Sequence, residues 1–142
     1  MPEPHDDRGS TLLLLPSAVL VLFLLTALAV DGAATFLAQR QLADVCAGAV
    51  NDAAGVALDI DRLYETADPT LDIARVYALT RSRIAPLEAR WGGTADVAAV
   101  VEGPQVSLRL ATSVPLPIGP GGSGRARANI TATCEATTTI RR

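Results

Sequence analysis

The stretch from Leu12 to Val30, LLLLPSAVLVLFLLTALAV, narrows the folds open to this chain more than any other. Its nineteen residues carry no charge, and only Pro16, Ser17 and Thr26 interrupt the apolar side chains. A helix over this run reaches roughly 28 Å, close to the ~30 Å hydrocarbon core of a bilayer. A helix also satisfies its own backbone polar groups, as lipid requires of any open-chain span. The run therefore predicts a transmembrane helix at 12–30, a polar tail at 1–11 and a single domain at 31–142. The lipid bilayer is the first expected partner.

Two fates are open to such a segment. Ala27-Leu28-Ala29 has the A-x-A form of a signal-peptidase site. Cleavage after Ala29 would release a secreted binding module that begins at Val30. The apolar run exceeds the 7–15 residues of a usual signal core, so a retained anchor is the expectation. Arg8 and the amino terminus precede the run, and Arg40 is the next basic residue after it. By the positive-inside rule the tail is placed in the cytoplasm and the domain outside the bacterial cytoplasmic membrane.

Helical periodicity continues past the membrane. Leu42, Cys46, Ala49, Ala53, Val56, Ile60 and Leu63 are spaced 4, 3, 4, 3, 4, 3, a seven-residue repeat on one helix face. Arg40, Asp44, Asn51, Asp52 and Asp59 are assigned to the opposite face. No proline occurs between Pro16 and Pro69, so one long helix is expected, half in lipid and half an amphipathic stem. Asp68-Pro69 reads as the start of a second helix, with Asp68 as cap and Asp72 in the first turn. Ile73, Val76, Tyr77, Thr80 and Ile84 carry its apolar spacing, Pro86 is expected to end or kink it, and Gly92-Gly93 closes it.

The period then changes to two. Ala95 to Glu102 is an apolar run that stops at the Gly103-Pro104 turn. Val106, Leu108, Leu110, Thr112, Val114 and Leu116 alternate with polar or small residues until Pro115 and Pro117. A Gly/Pro loop follows at Gly119 to Gly124. The last strand sets Ala126, Ala128, Ile130, Ala132, Cys134, Ala136, Thr138 and Ile140 on one face. Hairpin-linked strands with one wet face predict a small antiparallel sheet, so the expected class is α+β. The stem face is available to cover the sheet. Cys46 lies on that stem face and Cys134 on the apolar face of the last strand. A disulfide between them would staple helix to sheet; the alternative is two separate buried thiols.

Little here suggests chemistry. A net charge of −3 argues against a nucleic-acid partner. The glycine frame from Gly119 to Ala126 lacks the Lys and Ser/Thr of a phosphate loop, and a strand follows it. Asp59, Asp61, Glu65 and Asp68 lack the sixth-position Gly of a calcium loop, and Leu63 occupies a ligand slot. His5 is the only histidine and lies in the tail, so no histidine-based catalytic or zinc site is expected in the domain. Asn129-Ile130-Thr131 matches a glycosylation sequon by pattern, in mid-strand. Trp91 can pack on the core edge or sit at a membrane surface; the core edge is preferred. The reading is of a non-enzyme with no cofactor, no metal and no small-molecule substrate.

The tail ending in Arg8-Gly9, the uncharged helix, Asp31-Gly32 and the segment AQRQLADVCAGAVNDAAGVALD at Ala38–Asp59 together resemble the TadE/TadG-like proteins of the tight-adherence (Flp) pilus system. Val114–Pro117 and the Arg-Ala-Arg-Ala start at Arg125 are similar to that family's sheet. The resemblance implies a pilin-like shape and a role as a minor pseudopilin or assembly component. It implies other pilus or pseudopilin subunits and the inner-membrane assembly platform as partners. Many pseudopilins carry a Gly followed five residues later by Glu, the mark of a prepilin peptidase. Here Gly9 is followed at that distance by Leu14, which speaks against processing after Gly9 and for permanent retention in the membrane.

Overall fold

The structure is a computed structural model that describes residues 10–56, 64, 71–119 and 125–137. Its elements run α1 (Ser10–Val56), α2 (Ile73–Trp91), β1 (Asp96–Glu102), β2 (Gln105–Pro115) and β3 (Arg127–Thr137). The fold is α+β: a long apolar N-terminal helix, a shorter second helix and a three-stranded antiparallel sheet in the order β1-β2-β3.

α1 is a single helix of 47 residues, roughly 70 Å at 1.5 Å per residue. Leu- and Ala-rich sequence favours it throughout. Two hydroxyls of its apolar run are satisfied within the helix itself. Ser17 Oγ donates to the Leu14 carbonyl at 2.9 Å, and Thr26 Oγ1 to the Leu22 carbonyl at 2.8 Å. Neither hydroxyl thus needs water.

The start of α2 differs from expectation. Its cap is Asp72, whose carboxylate accepts the backbone N–H groups of Ala74 at 2.9 Å and Arg75 at 3.4 Å. Asp68-Pro69 lies outside the described residues. Pro86 neither ends nor divides α2, which continues to Trp91 and closes at Gly92. Pro86 is exposed while Ile84 and Leu87 beside it are buried. The carbonyl left without its helical donor therefore faces solvent, and core packing on both sides holds the helix together.

β1 and β2 are joined by the two-residue turn Gly103-Pro104, with Glu102 opposite Gln105. Gly103 takes φ 59°, the left-handed value that the first position of such a hairpin turn requires. β2 alternates without interruption, burying Val106, Leu108, Leu110, Thr112 and Val114. β3 buries Ile130 and Ala132 and half-buries Ala128, Cys134 and Ala136; Thr138 and Ile140 lie outside the described residues. Both helices pack on this one face, and a core of Leu42, Val50, Val76, Ile84, Leu108, Leu110 and Ile130 forms between the layers. The other face of the sheet is polar, with Arg109, Thr131, Thr133 and Glu135 exposed.

Candidate functional site

The candidate site is α1 itself, which has two surfaces of different kinds. From Leu14 to Val30 its large apolar side chains are all exposed. It is the one described helix long and apolar enough to cross a membrane. From Ala38 onward one face is sealed: Ala38, Leu42, Cys46, Ala49, Val50 and Ala53 are buried against the sheet and α2. Of the predicted face, Leu42, Cys46, Ala49 and Ala53 are each 0% exposed. Val56 ends the helix with its side chain outside the described residues, and Ile60 and Leu63 lie outside them altogether. Ala38 and Val50 belong to the face as well. Both satisfy helical spacing, at four before Leu42 and four after Cys46.

Three ties fasten α1 to the sheet and to the loop between β2 and β3. The first is a disulfide from Cys46 to Cys134, with a Cα–Cα separation of 5.9 Å and 88 residues between the partners. The second is Gln39, whose Nε2 donates to the Thr131 carbonyl at 3.3 Å. The third is Asp31. Its Oδ1 accepts the N–H of Ile118 at 2.9 Å and its Oδ2 the N–H of Gly119 at 2.8 Å. Gly119 has φ 61°, and a Cβ there would stand 2.6 Å from the Ala126 Cβ, so only glycine fits under the carboxylate. Asp31 escaped the sequence reading, which names it only in the Asp31-Gly32 pair after the uncharged helix. Its signal was there: the stem face extended down through Ala38 and Thr35 lands on Asp31.

The ties show how helix and strand lie together. Seven residues of helix separate Gln39 from Cys46, roughly 10 Å, and three of strand separate Thr131 from Cys134, also roughly 10 Å. α1 and β3 therefore run side by side in the same direction, away from the apolar run. The Asp31 end of the domain is its base and the Glu102–Gln105 turn its tip.

α2 is secured separately. Asp52, assigned by spacing to the solvent face of the stem, instead pairs with Arg83 of α2. The expectation fails because α2 lies beside the stem and covers part of the flank that a two-sided picture leaves to water. Glu88 accepts the Ala95 N–H at 2.6 Å, Arg81 donates to the Ala95 carbonyl at 3.0 Å, and the two side chains pair at 3.5 Å. Tyr77 Oη accepts the Ala99 N–H at 3.2 Å, occupying a donor of the β1 strand. Arg127 donates to the carbonyls of Trp91 at 2.9 Å and Ser113 at 2.7 Å, joining the end of α2 to the base of the sheet.

Among the described residues no three His, Cys, Asp or Glu side chains gather as metal ligands. Gly9, His5, the carboxylates Asp59, Asp61, Glu65 and Asp68, and loop residues 120–124 lie outside the described residues. Ala29 is an exposed residue in mid-helix, Asn129 an exposed residue of β3, and Trp91 is buried at the end of α2. A shallow depression of about 220 Å³ lies on the polar sheet face near the tip, lined by Val100, Glu102, Gln105, Ser107 and Glu135. Its residues are exposed or half-exposed, so it holds no desolvated polar group on which to build recognition.

The arrangement joins a lipid-compatible rod to a folded head with no joint between them. Comparisons with protein-family models, curated proteins and solved structures gave no match.

Proposed function

We propose that this chain is a single-pass membrane protein of pilin-like build, a minor pseudopilin-like component of a tight-adherence (Flp) type pilus or related secretion apparatus. The observation that carries the reading is the continuity of α1, one helix from the exposed apolar run into the core of the head. A leader meant for removal needs no rigid coupling to the domain behind it. Here the residues on either side of Ala29 belong to one helix, and Asp31, two residues on, is tied to the loop between β2 and β3.

In this reading the tail at 1–11 is cytoplasmic, 12–30 crosses the bilayer and 31–142 stands outside the cytoplasmic membrane. The Cys46–Cys134 disulfide supports that side, since such bridges persist in oxidising compartments. The protein works without chemistry of its own, by helix packing against other pilus or pseudopilin subunits and the inner-membrane assembly platform. The exposed part of α1 is free for lateral packing, and its Ala18, Ala27 and Ala29 permit close approach in lipid. The stem face is already filled by the chain's own sheet, so the lipid-embedded half is the part left for partners.

The test is site-specific photo-crosslinking in a bacterium that assembles a tight-adherence pilus. A photoreactive side chain at Leu22 is expected to capture other small single-pass subunits, and one at Asn129 on the wet sheet face to capture none of them. Absence of capture from every exposed position between Leu14 and Leu28 would count against the assembly role. A soluble product that begins at Val30 would favour a secreted binding module instead.

A further inference from the structure

We infer that the base of the folded domain is a second membrane contact: the Leu116–Ile118 loop, flanked by Arg90 and Arg125, docks on anionic lipid headgroups and holds the head against the bilayer. This rests on the anchor reading above and adds a surface to it.

The first observation is level. Asp31 follows directly on Val30, the last residue of the apolar run, and its carboxylate holds the backbone of Ile118 and Gly119. If Leu12–Val30 fills the hydrocarbon core, these loop residues lie at its edge. Leu116 and Ile118 are half-buried and Pro117 is exposed, so the loop presents apolar surface where lipid begins. The β2–β3 ladder gives the same level independently. Arg127 lies four residues below Thr131, roughly 13 Å of strand, which corresponds to about nine helix residues below Gln39. Trp91, whose carbonyl Arg127 holds, is placed near that level too.

The second observation is that exposed apolar surface on α1 does not stop at Val30. Phe36 is 67% exposed and Leu37 57% exposed, roughly 9–10 Å further along the helix. The interfacial layer on one side of a bilayer is roughly 5–7 Å deep beyond the hydrocarbon. These two side chains therefore stand just above that layer, so exposed apolar surface on α1 continues from the hydrocarbon edge past the headgroups, beside the base of the domain.

The third is charge. Arg90 in the last turn of α2 and Arg125 before β3 are exposed, with no side-chain partner among the described residues. Arg127 between them is engaged with Trp91 and Ser113. Of the acids at this end, Asp31 is tied to the loop and Glu88 to Ala95 and Arg81, which leaves Asp96 exposed. Among the described residues of the sheet, those near the tip are Glu102 and Glu135, both exposed, with Arg109 as the nearest base. Exposed arginines at the base suit a head that stands on an anionic surface.

Trp91 is the only tryptophan and reports from the base itself. The full chain is inserted into vesicles of phosphatidylcholine, alone or mixed with phosphatidylglycerol, with brominated lipid as quencher of Trp91 emission. Flotation of the vesicles checks insertion first. The expected result is quenching that rises with phosphatidylglycerol and falls with salt. Arg90→Gln and Arg125→Gln should each lower the ratio of seated to tilted-away orientations of the rigid rod and head by roughly fivefold, and Pro117→Asp should lower it further, with all variants still inserted. Quenching in inserted protein that ignores lipid charge and these substitutions would overturn the proposal. So would quenching that follows protein density and not lipid charge, which would point to contact between copies. A chain that fails to float with vesicles would overturn the anchor reading, and this one with it.

Discussion

Leu22 and Leu42 sit on the same helix twenty residues apart, one 65% exposed and the other 0% exposed. The difference shows how one secondary-structure element can serve two solvents. In the lower half of α1 the side chains are large, apolar all round and unpacked, which only a non-aqueous surrounding makes favourable. In the upper half Ala49 and Ala53 are small and fully buried, letting the sheet come close, while Arg40, Asp44 and Asn51 face water. The helix is continuous, but on the anchor reading its stability has two sources: lipid below and sidedness above.

The sharpest way to break the upper half is to remove its staple. The Cys46→Ala/Cys134→Ala double variant is expected to lose about 4–5 kcal/mol by the entropic estimate for a loop of 88 residues. Urea denaturation of the full chain in detergent, followed through Trp91, measures it, and wild type under reducing conditions should shift alike. Leu42→Ala comes next, at about 2–5 kcal/mol, since the side chain is wholly enclosed and leaves a cavity. Leu22→Ala, the same change in the lower half, should move the denaturation midpoint by less than about 0.5 kcal/mol. Equal losses at the two sites would erase the distinction between the halves.

Ala49→Leu tests the need for small residues, with an expected cost of about 1–3 kcal/mol from overpacking against the sheet. Asp31→Ala should cost about 1–3 kcal/mol, because the N–H groups of Ile118 and Gly119 lose their acceptors. Arg40→Ala, on the wet side of the same stem, should fall within about 0.5 kcal/mol of wild type. Circular dichroism melts of the three variants in one detergent give the order.

Much of this was legible because it is periodic. The uncharged run, the seven-residue repeat and the alternating strands each announce their geometry over many residues, so the helix, the hairpins and the α+β class follow. The link between Cys46 and Cys134 was within reach because each cysteine lies on a face that the period defines. What escaped were singular events. Nothing in the local pattern tells that Asp31 reaches a loop 87 positions away, because that pairing depends on where the β2–β3 connection descends. Asp52 looked solvated because α2 could not be placed beside the stem. Pro86 looked like a stop because its local cost is plain, while the burial of Ile84 and Leu87 that outweighs it is tertiary.

The central claim is that membrane segment and head are one structural unit. Intact mass spectrometry of the protein recovered from bacterial membranes after alkaline extraction tests it directly. The expected result is a membrane-retained species of 14.7 kDa, two hydrogens lighter than the reduced chain. A product beginning at Val30, recovered free of the membrane, would contradict it.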